Sequence, residues 1–518
     1  AGTSDIEVFE TTDPYSVSLA TNGRYSQFVD LNDNDLKPTG WDGHAVPAIG
    51  NPENAVIYEG HIRDFSAMDA STSEANRGKY LAFTESGTAP VMHLQELAEA
   101  GVTHFHVLPA FDIASVNEDL SQQLSLDSTV GELCVATDAS ATICDGRDPN
   151  LVLRDIIEGF DPDTADAQDL INSLRGLDAF NWGYDPHHFN APDGSYASDP
   201  DGAARILEMR AMNQALHGMG LRVVMDVVYN HTQSSGINDN SVFDKIVPGY
   251  YHRLNPESGA VETSTCCQNT APEYRMMGKF VADSLVQWAQ AYGVDGFRFD
   301  IMGHHPKAQI EEAREAVRVV DPDTYFYGEG WNFGEVADGA RFEQASQLNL
   351  GGTEIGSFND RQRDAVRDAY LFVENGSLQQ QDIIRVGLAG TLADYVLTDA
   401  NGTAVTASSI SWNGQPAGYA DDPADIINYV SKHDNETLWD KLQYGLPAEV
   451  TRQDRVRIQN VAATVPLMSQ GVPFLQMGGD QLRSKSMDRD SYDSGDWFNR
   501  VDFTQTSNNW HVGLPIAD

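Results

Sequence analysis

Residues 221–231, LRVVMDVVYNH, limit the fold more than any other stretch of the chain. The β-branched run Val223, Val224, Val227 and Val228 is broken by a single acid, Asp226, and reads as a strand buried on both faces, the pattern of a parallel sheet. A buried strand should not carry an acid. Asp226, with Tyr229, Asn230 and His231 after it, therefore marks where the strand emerges. In a barrel of parallel strands and helices that carboxyl end is the catalytic face.

Three further segments repeat the pattern. VDGFRFD at residues 294–300 ends on Arg298 and Asp300, two apart and so on one face of a strand. YFYGEGW at 325–331 ends on Glu329 between glycines, and NYVSKHDN at 428–435 ends on His433 and Asp434. One acid at a strand end is ordinarily a helix N-cap or a solvated loop residue. That explanation would have to hold separately at four strands.

In this order DVVYNH, GFRFD, GEGW and VSKHDN resemble the four signature regions of the alpha-amylase family of glycoside hydrolases. FNWGYDP at residues 180–186 resembles the motif marking its type I pullulanases, with phenylalanine in place of the usual first tyrosine. The likeness extends to YEGHIRDFS at 58–66, STCC at 264–267 and SYDSGDWFNRVD at 491–502, and so covers nearly the whole chain. It implies a (β/α)8 TIM barrel with long loop insertions, preceded by the end of a small β-sandwich. Residues 1–40 are then the end of an N-terminal starch-binding-type module, and 41–518 the catalytic barrel with an insertion at about 111–180.

The residues themselves point the same way. Tyr15, Val17 and Leu19 alternate with polar residues before a turn at 21–23, which suggests closing strands of a β-module. Barrel strands are expected at 55–58, 102–109, 221–228, 294–300, 325–331, 355–360, 428–435 and 473–480. Met277, Phe280, Val281, Ser284, Leu285 and Trp288 fall at helical spacing, and 307–319 reads as the next helix. This alternation of helix and strand is that of a barrel.

Composition excludes several partners. With 77 acidic against 33 basic residues the formal charge is −44, which argues against nucleic acid, anionic membranes and acidic substrates, while a neutral glycan is indifferent to it. The most apolar stretch, 461–477, is broken by Pro466, Ser469, Gln470 and Pro473 and is no membrane span. The chain opens on Ala1 without an initiator methionine and is read as a mature or trimmed fragment of a secreted or cell-surface protein. Cys134 and Cys144, ten apart without CxxC spacing, suit a loop-closing disulfide better than zinc in such a protein. Adjacent Cys266 and Cys267 can close only a strained ring, so free thiols are the plain expectation; the resemblance favours a vicinal disulfide. His104 and His106 read as packed strand residues, since no acid or cysteine completes a metal set.

Glycoside hydrolysis needs one protonated carboxyl at the leaving oxygen and one carboxylate at the anomeric carbon, about 5 Å apart in retaining enzymes. The resemblance makes Asp300 the nucleophile, Glu329 the general acid/base and Asp434 the carboxylate that holds sugar hydroxyls. It gives substrate contacts to Tyr184, Asp185, His231, Arg298, Trp331, His433, Asp496 and Arg500, although for the last two a surface ion pair is an equal reading. Arg298 should hold Asp300 ionised, supported by Asp226, while burial and like charge should raise Glu329. The chemistry needs no cofactor. Structural Ca2+ is expected of such enzymes, yet no DxDxDG spacing picks out its ligands.

The implied activity is retaining hydrolysis of α-1,6 links in pullulan, amylopectin and limit dextrin by a monomer. The alternatives are isoamylase, neopullulanase or branching activity, and a glycan-binding relative that has lost the acids.

Overall fold

The computed structural model describes residues 8–368 and 376–516. Eight parallel strands close into a barrel: β1 (Ile57–Gly60), β2 (His104–Val107), β3 (Arg222–Val227), β4 (Gly296–Phe299), β5 (Tyr325–Gly328), β6 (Gly356–Phe358), β7 (Ile426–Asn428) and β8 (Val472–Gln476). Each pairs with its neighbours in sequence, and β8 closes on β1. Ile57, Val224, Tyr325, Tyr327, Phe358, Ile427, Tyr429, Val472 and Phe474 pack together as a core, as inward-facing side chains fill such barrels.

Helices α1 (Ala89–Ala100), α2 (Ala204–Gly218), α3 (Arg275–Tyr292) and α4 (Lys307–Arg318) occupy the first four connections. The apolar stripe read at 277–288 is the buried face of α3. Between β5 and β6 the alternation fails: the only helical piece there is a 3-10 segment, Gly334–Gly339. The seventh strand lies earlier than expected: it ends at Asn428, and residues 429–434 follow outside it.

The strands expected in residues 1–40 are not found in the described part, 8–40; residues 1–7 lie outside it. One antiparallel bridge, Leu19 to Ser26, closes a tight loop instead. The alternation misleads here because Ser16 and Ser18 are buried with Leu19 while Tyr15 is exposed. Tyr15 donates to Asp283 on α3 at 2.9 Å, which lays the segment along the barrel flank.

The insertion before residue 180 has its own small core of Leu126, Val130, Leu133, Leu153, Leu170 and Ile171, to which the later Trp497 and Phe498 also contribute.

Candidate active site

The site is built around Arg298. Register sets Arg298 on β4 beside Asp226 on β3, and its Nη1 lies 2.9 and 3.0 Å from the two Asp226 oxygens. The same nitrogen donates to Asp300 Oδ1 at 3.2 Å, and Nη2 lies 3.0 Å from Glu329 Oε1. One fully buried guanidinium thus touches three carboxylates. Asp226 also accepts from the Tyr184 hydroxyl at 2.7 Å and lies 3.2 Å from His106 Nε2.

The backbone after β4 is bent to reach β5. Ile301 is left-handed, with φ 42°, a conformation that costs a β-branched residue roughly 1–3 kcal/mol. It aims the Ile301 N–H at Glu329 Oε2, 3.1 Å away. At Gly303 an added Cβ would meet the Trp331 carbonyl oxygen at 2.0 Å. Glycine there lets the two loops lie backbone to backbone, joined by the Gly303 N–H to the Glu329 carbonyl at 3.0 Å.

Lys432 was not singled out by sequence. Its buried Nζ lies 2.8 Å from Glu329 Oε1 and also pairs with Asp434. The available signal was a lysine inside VSKHDN in a chain with only eight lysines. Asp434, with 44% of its side chain exposed, is the most open of the three acids.

The electrostatics reverse the expected order. Burial, with Glu329 nearby, raises the Asp300 carboxyl to about 7 against the pull of Arg298. Burial also pushes Glu329 upward, but Lys432 and Arg298 outweigh it and hold that carboxyl down at about 2. Arg298 is shared among three acids, whereas Lys432 sits directly on Glu329. Burial thus holds the Asp300 carboxyl up while the two cations hold Glu329 down.

The other expected residues spread around this centre. Tyr184 is half-buried, its ring stacked on His433 at 5.0 Å, and Asp185 beside it is also half-buried. Trp182 is buried, edge-on to His433 at 5.2 Å. His231 has both ring nitrogens engaged within the protein, Nε2 2.8 Å from the Tyr184 carbonyl and Nδ1 2.9 Å from Asn230 Nδ2. Asn230 also donates to Asp300 Oδ2 at 3.0 Å. Trp331 and Asn332 wall a cavity of about 740 Å³ that extends to Trp412 and Gln415.

Asp496 and Arg500 stand apart. Asp496 is gripped by Arg63 through two bonds of 2.7 and 2.8 Å, a mostly buried pair and not the surface one offered as the alternative, and the Arg500 Nε is buried without a hydrogen-bond partner among the described residues. Cys134 and Cys144 are joined within the insertion, their sulfurs 2.02 Å apart. Cys266 and Cys267 form a vicinal disulfide, and Cys266 Sγ lies 3.8 Å from His231 Nε2.

Among the described residues, three groups bring acids, histidines or cysteines close enough to consider a cation. Cys266 and Cys267 are bonded to each other. Asp112 and Glu118 already pair with the Arg205 guanidinium, and Glu118 and Asp193 accept backbone N–H groups. In the third group His188 Nδ1 bonds Asp112 at 2.7 Å and its Nε2 bonds Thr12 at 2.5 Å. None of them fits Ca2+, which takes six to eight oxygens.

Comparison with known proteins gives the kinship. Residues 113–180 match the family model described as the Pullulanase Ins domain. The chain is 46% identical to the pullulanase of Klebsiella aerogenes, with 98% of this chain and 50% of that protein aligned. It is 44% identical to the chloroplastic pullulanase 1 of Arabidopsis thaliana, over 99% of this chain and 54% of that one. The crystal structure of the maltotriose complex of PulA from Klebsiella pneumoniae superposes with a TM-score of 0.94 at 45% identity, covering 98% of this chain and 59% of that one. The chain spans about half the length of the curated relatives it matches.

Fold and kinship define the class, the (β/α)8 barrels related to glycoside hydrolases. Within that class the chain belongs to the pullulanases.

Proposed function

We propose that this chain is the catalytic part of a debranching enzyme that hydrolyses α-1,6-glucosidic links in pullulan, amylopectin and limit dextrins by retaining double displacement. The observation that carries this is the Arg298 guanidinium, which joins Asp300 to Glu329 while Lys432 ties Glu329 to Asp434 at the barrel mouth. Asp300 attacks the anomeric carbon as the glycosidic bond breaks. Glu329 protonates the leaving oxygen, then takes a proton from the water that releases the glycosyl ester. Asp434 accepts sugar hydroxyls and favours the distorted, cationic transition state.

These roles require the proton on Glu329, not on Asp300. Lys432 already bridges Glu329 and Asp434, so an entering sugar that draws it toward Asp434 frees Glu329 to take the proton Asp300 gives up. His231 and His433 face the reactive sugar, with Tyr184 and Asp185 beside them as a platform. Asp496 and Arg500 belong further out on the non-reducing side. Trp331 stacks on the leaving-group side, where the cavity toward Trp412 gives room for a second chain, as a branch-point enzyme needs.

Residues 41–518 are the catalytic barrel, and 1–40 the segment that leads into it from a starch-binding-type module. The chain acts as a monomer, with its site closed within one barrel, and outside the cell, where the Cys134–Cys144 bond persists. Among the described residues no helix is long and apolar enough to cross a membrane.

A fluorinated glucosyl fluoride, which slows release of the covalent intermediate, tests the mechanism. Mass spectrometry should find the label on the peptide carrying Asp300; label elsewhere, or none with pullulan still hydrolysed, overturns the assignment.

A further inference from the structure

Glu59 is a buried acid inside the barrel that the mechanism above does not use. It lies on β1, beside His106 of β2 and Gln476 of β8 in the register. Both of its oxygens are on one residue: Oε2 accepts the His433 backbone N–H at 2.7 Å, and Oε1 lies 2.6 Å from His433 Nδ1. The ring is further fixed by Tyr184, stacked on one face, and by Trp182 at its edge. Its other nitrogen, Nε2, lies 3.6 Å from Asp434 Oδ2.

We propose that Glu59 is a positioning residue that sets whether His433 Nε2 presents a hydrogen-bond donor or an acceptor to the sugar. It rests on His433 facing the sugar, as proposed above. When Glu59 is a carboxylate and His433 is neutral, the carboxylate accepts the hydrogen bond of Nδ1–H, which leaves Nε2 a bare acceptor. When the pair holds one more proton, Nε2 carries hydrogen. That is so whether the extra proton makes an imidazolium or a carboxyl donating to Nδ1. A donor at Nε2 suits a sugar hydroxyl whose own proton is given to Asp434.

The pair has charged neighbours on every side. Lys432, Arg298 and Lys485 are the cations, with the Lys485 Nζ 3.2 Å from the His433 carbonyl. Asp226, Glu329 and Asp434 are the anions, and His106 and the Tyr184 hydroxyl complete the wall. His61, Asp64 and Arg483 line the small void behind Glu59. Burial raises the Glu59 carboxyl to about 8 against Lys432 and Arg298, while burial and those two cations hold the His433 ring far below its ordinary value. The extra proton is thus kept through neutral pH and lost above it, as one titration of the pair.

Glu59→Gln separates the two jobs. A glutamine can accept the backbone N–H and donate its amide to Nδ1, which fixes hydrogen on Nε2 at every pH. In the full chain labelled with 15N-histidine, the His433 signal is assigned by its loss in His433→Asn. Wild-type Nε2 should lose its proton as pH passes through about 8, and Glu59→Gln should keep it. The alkaline limb of kcat/KM on pullulan should move to higher pH in Glu59→Gln, while Glu59→Ala should fall at least a hundredfold at every pH.

An Nε2 proton that titrates identically in wild type and Glu59→Gln overturns the proposal. So does an altered Nε2 state with an unmoved alkaline limb, which would show that His433 does not face the sugar; labelling of Asp300 tests the hydrolase assignment separately.

Discussion

Two buried carboxylate clusters in this molecule look alike by charge and differ in what they can do. At the barrel mouth Asp226, Asp300 and Glu329 share Arg298. On the flank, beside β2, Asp112 and Glu118 share Arg205, and Asp193 adjoins them. Two of the flank acids, Asp193 and Glu118, take fixed backbone donors, while Asp112 meets the buried side chains of Arg205 and His188. Ile113 and Ser195 N–H groups bond Asp193 at 2.9 and 2.8 Å, and the Gly194 N–H bonds Glu118 at 2.7 Å. An added Cβ at Gly194 would sit 2.5 Å from both Glu118 and Arg205, so the cluster is closed.

The mouth acids, apart from the Ile301 N–H on Glu329, meet side-chain tips, those of Arg298, Lys432 and Asn230, and open toward solvent at Asp434. Burial and a perturbed carboxylate therefore do not by themselves mark a site, since Asp193 is raised to about 6 by burial and the neighbouring Asp112. Donors that can move, beside an open edge, are the distinguishing feature.

Substitutions sharpen the contrast. Asp300→Asn should lower kcat on pullulan by about 10^4-fold or more. It should also stabilise the fold. A carboxyl raised from 3.8 to about 7 binds its proton more tightly folded than unfolded, so stability falls as pH rises through that interval. Melting curves should show Asp300→Asn gaining Tm over wild type at pH 8 and losing that advantage near pH 4. Equal Tm differences at both would contradict the raised carboxyl.

Glu329→Gln should cost about 10^2- to 10^4-fold on pullulan but far less on a glycoside with an activated aryl leaving group that needs no proton. An equal loss on both substrates would remove Glu329 as the acid.

On the flank, Arg205→Met should leave buried acids without their cation and destabilise by about 3–5 kcal/mol. At a temperature where the variant is folded, its kcat should stay within a few-fold of wild type. A kcat collapse with unchanged Tm would reverse the roles given to the two clusters.

Smaller effects follow. Reducing the Cys134–Cys144 link should cost about 2–3 kcal/mol in the chain-entropy view, read from urea unfolding with and without reductant. Recovery of both as alkylatable thiols from undenatured, unreduced protein would contradict the bond. Lys432→Met should release Glu329 from its depressed value. That depression supplies stability above pH 4.5 that is lost as pH falls toward about 2, so the variant should lose this acid-side slope in unfolding measured between about pH 2 and 5. An unchanged slope would mean that Lys432 does not hold Glu329 down.

The mouth was more legible in sequence than its wiring. Asp226, Arg298, Asp300 and Glu329 could be read because an acid at the end of a buried strand is a local anomaly, and spacing of two puts Arg298 and Asp300 on one face. Lys432 and Glu59 could not, because Lys432 meets Glu329 across 103 residues, though Asp434 is only two away, and Glu59 and His433 are 374 residues apart. The same gap explains why local pattern predicts a raised Glu329: it does not record that Lys432, 103 residues on, and a shared Arg298 pull that carboxyl down. Residues 8–40 misled for the opposite reason, since a local alternation of Tyr15, Val17 and Leu19 carries no record of buried serines bonded within a loop.

The most direct test of a branch-point hydrolase is the product pattern from pullulan, separated by chromatography after exhaustive digestion. Cleavage at α-1,6 links gives maltotriose as the end product, with little sugar released from linear amylose under the same conditions. Panose or isopanose as the main product would mean that α-1,4 links are cut and contradict the assignment, and no product from pullulan while amylopectin is debranched would point to an isoamylase activity instead.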